Sequence, residues 1–181
     1  MNRCMTGLIA PALLAAGYLM TTTANAATVG QDSAQIATLL ADAKAEAVQL
    51  KDDSSDMESF IKSKLSWESY ARKVDMIKEH ANNTGKLLAR LQEEEAGGSP
   101  WQQTAIRRIE PLLRELAANT ETTINYLNAN RQKIHFAEFK DYVKTNYELA
   151  TDLEELIRDF INYGEAKQKA ERLGSKLEIY R

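Results

Sequence analysis

His80, His135 and Cys4 are the only imidazoles and the only thiol in this chain. Met76 and His80 stand four residues apart, so a helix would carry thioether and imidazole on one side. Met57 with His80 is the other pairing that could ligate a non-covalent haem. Axial ligands must come from opposing helices, yet Met76 and His80 both fall outside the inward register of their helix. His80 therefore reads as a solvated histidine, and His135, in an expected loop, reads the same way. Covalent haem needs Cys-x-x-Cys-His and a di-iron bundle needs Glu-x-x-His on two helices. Neither pattern occurs. Glu93-Glu94-Glu95 and Glu154-Glu155 are adjacent in sequence, so they fan around a helix instead of converging. Solvated charge is their default reading, against a weak calcium contact at the first run. No Gly-x-Ser-x-Gly elbow and no phosphate-cradling glycine loop is present. We expect no catalytic residue, no metal ligand set and no cofactor, and an enzyme is the outlying reading.

The elements that carry these residues are helices. Apolar residues recur at spacings of three and four, and short alternating runs rich in Val, Ile and Thr are absent. The first register runs Ile36, Leu40, Ala43, Ala47, Leu50, Ser54, Met57, Ile61. The second runs Trp67, Tyr70, Val74, Ile77, Ala81, Thr84, Leu88, Leu91. The third runs Ile106, Ile109, Leu113, Leu116, Thr120, Thr123, Leu127, Asn130, Ile134. The fourth begins Phe139, Tyr142, Asn146, Leu149, Leu153 and continues Leu156, Phe160, Tyr163, Lys167, Ala170. Leu39, Leu87, Leu112, Ile124, Val143, Ile157 and Ile161 widen these seams, which suits a globular bundle better than a two-stranded coiled coil. The expectation is an all-α, antiparallel up-down-up-down four-helix bundle, with helices near 32–63, 67–95, 100–133 and 138–173 in a single domain over 32–181.

The clearest boundary is Gly97-Gly98-Ser99-Pro100, where glycines end one helix and Ser99 and Pro100 start the next. The first turn is placed near Ser63–Ser66. Asp52-Asp53-Ser54-Ser55 with Glu58 is the alternative break, and one unbroken long helix is a third. Pro111 falls on the outer side of the third helix, where it should kink it. The polar seam residues Thr120, Thr123, Asn130 and Asn146 read as hydrogen-bonded register devices, with a polar pocket as the functional alternative. Phe60, Trp67, Tyr70, Phe136, Phe139 and Tyr142 gather at one end, Trp101 and Tyr163 toward the other. An aromatic-rich end reads first as packed core.

The start of the chain reads as an address. Arg3 precedes an uncharged run from Gly7 to Met20, and Ala24-Asn25-Ala26 offers small residues where a signal peptidase cuts. Fourteen residues span about 21 Å as a helix, short of the roughly 30 Å hydrocarbon core. Residues 1–26 are expected to be a cleaved signal peptide and 27–31 a short disordered stretch. An uncleaved anchor is the alternative, and Met1-Asn2-Arg3 before Cys4 does not form a lipoprotein cleavage site. Cleavage would remove the single cysteine, leaving a core or partner chains to supply stability without disulfides. No second spanning segment follows, so the mature chain is expected to be soluble, in a periplasmic or extracellular compartment. The charge balance, 23 basic against 26 acidic residues, argues against a nucleic-acid partner. Together these features point to an exported envelope scaffold or chaperone-like binder with a protein partner or self-association. The alternative is a small-molecule or cofactor carrier with its site in the bundle core.

Overall fold

A computed structural model describes residues 30–63, 65–131 and 137–178. They form four helices: α1 (Ala34–Ile61), α2 (Trp67–Glu94), α3 (Pro100–Ala129) and α4 (Ala137–Lys176), with one 3-10 turn at Glu95–Gly97. No strand occurs among the described residues. The expected signal peptide, along with Ile134, His135 and Phe136, lies outside them.

α1 begins where the Ser33 hydroxyl accepts from the Ile36 amide at 3.3 Å. It then runs through Asp52–Ser55 without interruption, so the alternative break there does not form. Ser54 is fully buried and returns its hydroxyl to the Leu50 carbonyl at 2.8 Å. Asp53, also buried, is held by Lys73 at 3.0 Å. Both polar side chains thus have a hydrogen-bond partner while the helix continues, so neither needs to break it. Between α2 and α3 the chain passes so close to α1 that a Cβ on Gly98 would lie 2.6 Å from Ile36 Cδ1. Ser99 and Gln102 then form a capping box, with Pro100 in the first turn.

α3 continues through Pro111, which faces solvent. It stops at Ala129, earlier than the seam pattern implies. Asn130 leaves the helix at φ −127° and turns its amide to the Tyr126 carbonyl at 3.0 Å, so it is a cap and not a seam residue.

α4 differs from its expected register. Phe139, Asn146 and Leu153 are buried as the pattern requires, but so are Val143, Ala150, Ile157 and Gly164, while Tyr163 is 55% exposed. From its first turns the buried face follows Phe139, Val143, Asn146, Ala150, Leu153 and Ile157, so Val143 and Ile157, expected only to flank the seam, lie within it.

The helices pack as a bundle-like unit in which α1 and α3 each contact both α2 and α4. Pairs along the seams include Gln35 with Glu94, Lys51 with Glu154, and Asn119 with Asn146. At one end Tyr70 meets Phe139 edge-on at 5.3 Å and Phe139 stacks on Tyr126 at 5.9 Å. That end is filled with side chains. No described helix is long and apolar enough to cross a membrane.

Candidate functional site

Three places in the fold bring polar or aromatic groups together, and each can be judged by whether its groups are already satisfied. The first is the polar layer between α3 and α4. Asn146 is fully buried, and its Oδ1 accepts from Thr120 Oγ1 at 3.1 Å and from Asn119 Nδ2 at 2.9 Å. Its own Nδ2 donates to Thr123 Oγ1 at 3.1 Å, and Thr123 passes its proton to the Asn119 carbonyl. These bonds join the layer's own groups across α3 and α4, and Thr120 also stands in the wall of a cleft of about 390 Å³ between α2 and α3. Asn119 was not among the seam residues because it sits one position off the stripe, where only the long amide reaches inward.

The second is a charged seam between α1 and α2. His80 is not simply solvated: its Nδ1 donates to Glu46 Oε2 at 2.8 Å, and its Nε2 lies 3.5 Å from Asp53 Oδ2. That Asp53 oxygen is buried without a hydrogen bond, while Asp53 Oδ1 takes Lys73. Burial works against the Lys73 ammonium, but Asp56 and Asp53 outweigh it and raise its pKa. Met76 is exposed and Met57 is in the core, so the two do not flank His80 as a ligand pair. Among the described residues no group of three or more acids and histidines is placed to hold a metal ion. The paired acids separate as their adjacency requires. Glu154 is buried against Lys51 and Arg158, while Glu94 turns to Gln35 and Glu95 to Arg107.

The third place is an open groove of about 450 Å³ between the start of α3 and α4. Its walls carry Trp101, Arg108, Phe160 and Tyr163, with Pro100 and Leu156. Trp101 is fixed from three sides. Its Nε1 donates to Asp32 Oδ1 at 2.7 Å, and its ring meets Tyr163 at 5.8 Å. The same ring lies so close to α4 that a Cβ on Gly164 would be 2.7 Å from it. The Arg108 guanidinium stands 5.7 Å over Phe160. Asp32 also accepts from Lys167 at 2.9 Å. Burial alone would raise the Asp32 pKa, but hydrogen bonds from Ser99, Lys167 and Trp101 together lower it. The Asp32 carboxylate in turn raises the Lys167 pKa. Lys167 therefore ties α4 to the chain ahead of α1.

Beneath the groove lies Gln102, which is wholly buried. Its Oε1 accepts from the Ser33 amide at 2.8 Å and the Ser99 amide at 3.1 Å, and its Nε2 donates to the Ser33 carbonyl at 2.8 Å. The capping-box spacing Ser99-x-x-Gln102 was the available signal for half of this role. Neither a protein family, nor a characterised protein, nor a solved structure matches this chain.

Proposed function

We propose that this protein is an exported, non-enzymatic binding protein of the cell envelope, a scaffold or chaperone-like binder that works through its surface. The observation that carries this reading is the contrast between a polar layer bonded within itself and an open aromatic groove. The Asn146 layer spends its hydrogen-bonding groups on itself, whereas Trp101, Phe160 and Tyr163 line a cleft that opens to solvent. Rigid aromatic side chains beside an arginine are the residues that most often carry protein binding energy. Export rests on Arg3, the apolar run and Ala24-Asn25-Ala26. The up-down-up-down antiparallel arrangement is supported by end-to-start pairs: Gln35 with Glu94, Asp53 with Lys73, and Trp101 with Tyr163.

The test is suppression of client aggregation, followed by light scattering of a thermally unfolding protein. Protection at an equimolar ratio, reduced by Tyr163→Ser, is the expected result, and no protection removes the chaperone version. Native mass spectrometry of protein purified from its own envelope should give a chain beginning at Ala27. A bound small molecule lost on denaturation would replace the reading with the carrier one.

A further inference from the structure

α4 is 40 residues long while α1, α2 and α3 have 28, 28 and 30. The difference lies beyond Lys167, the last residue of α4 tied to another described segment by an ion pair. Residues 168–173 and 175–178 are exposed, and Gly174 between them is buried. Along this projection Tyr163, Ala166, Ala170, Leu173 and Leu177 recur at three, four, three and four residues. All five are exposed, with Tyr163, Leu173 and Leu177 at 55%, 49% and 62%. The stripe starts in the Trp101 groove and continues for about 21 Å along α4. α3 begins at Pro100 beside Gly164, so among the described residues α3 does not continue farther along α4.

We propose that this stripe docks one amphipathic helix of a partner protein, and that the partner's flanking residues are acidic. The inference rests on the surface-binding reading above and names its partner. A three-four spacing is the seam another helix fits, with affinity from the apolar knobs and choice of partner from the charges beside them. The charged positions immediately beside the stripe are Lys167, Lys169 and Lys176, and the acids Glu165 and Glu171 lie farther round. Lys167 is neutralised by Asp32 and Glu171, but Lys169 and Lys176 make no ion pair among the described residues. A second copy of this chain supplies no acid at those flanks. Paired antiparallel, lysine would face lysine. Paired parallel, Lys167 and Lys169 would face Asn162 and Gly174. An acidic flank is the complement that rewards these lysines.

The test uses the full protein and two labelled synthetic peptides of 21 residues, alike in their leucine seam and flanked by glutamate in one and lysine in the other. Like charges keep each peptide from pairing with itself. Fluorescence anisotropy should show the glutamate peptide binding about tenfold or more tighter than the lysine peptide, a ratio two or three exposed ion pairs can supply. Leu173→Ser with Leu177→Ser should abolish binding while circular dichroism stays helical, since both leucines are exposed. Lys169→Glu with Lys176→Glu should reverse the preference. Equal binding of both peptides, preference for the lysine peptide, or binding that survives the leucine substitutions overturns the proposal. So does absence of binding, or a sedimenting dimer that the leucine substitutions dissolve. Those outcomes leave the aggregation assay with Tyr163→Ser unaffected, so the two readings fail separately.

Discussion

At the scale of single residues, Asn146 is the most exacting position. Its three side-chain hydrogen-bonding partners, Asn119, Thr120 and Thr123, all lie on α3, and replacing it with leucine would strand Thr120 and Thr123 in an apolar setting. Asn146→Leu should cost about 1–3 kcal/mol in urea denaturation, the usual penalty for buried polar groups left unpaired. Adding Thr120→Val and Thr123→Val should recover much of that loss, because the stranded partners are then gone as well. Asp32 gives a pH-dependent counterpart. Its pKa is lowered in the fold, so its contribution is fully present above the ordinary carboxylate range and fades as pH falls through the lower native value. Asp32→Asn should therefore flatten the acid limb of a stability-against-pH curve while leaving its shape near neutrality unchanged. The polar stripe Thr120, Thr123 and Asn146 was legible because polar residues interrupt an otherwise apolar spacing. Gln102 and Asp53 were not, because burial of a lone amide or carboxylate depends on partners 69 and 20 residues away.

At the scale of elements, α4 shows where periodicity runs out. Helix existence and the glycine-rich turn could be read from spacing, since each is a local property of the chain. The exposed Tyr163 and buried Gly164 could not, since which of the two turns inward is decided by the Trp101 ring of α3 packed against Gly164. Gly164 is also where two element-level effects oppose each other. Alanine would favour the helix by about 1 kcal/mol, yet its Cβ would meet the Trp101 ring at 2.7 Å. Because Asp32 and Tyr163 hold that ring, it cannot simply swing away. Gly164→Ala should be net destabilising by about 1 kcal/mol, a mid-range overpacking cost of about 2 kcal/mol less the propensity gain, with a change in tryptophan emission as the indole leaves its site.

At the scale of the whole molecule, stability is unevenly distributed. Up to Lys167, α4 is covered by α1 and α3, and beyond it every described residue except Gly174 is exposed. Trypsin should cut first at Lys169 or Arg172, and amides 168–176 should exchange with solvent well before those of the Ile36, Leu50 and Ile109 core. Equal protection along all of α4 would contradict this division.

Gln102 has one more consequence, for how the chain folds. Its single amide joins the residue ahead of α1 to the residue ahead of α3, closing a loop of 69 residues that contains two whole helices. The Ser33 hydroxyl caps α1 by itself, but its backbone is held only when the start of α3 is in place. Such a clasp reinforces the coupling that the shared core already gives the two halves, and Gln102→Ala should lower the melting temperature while the transition stays single.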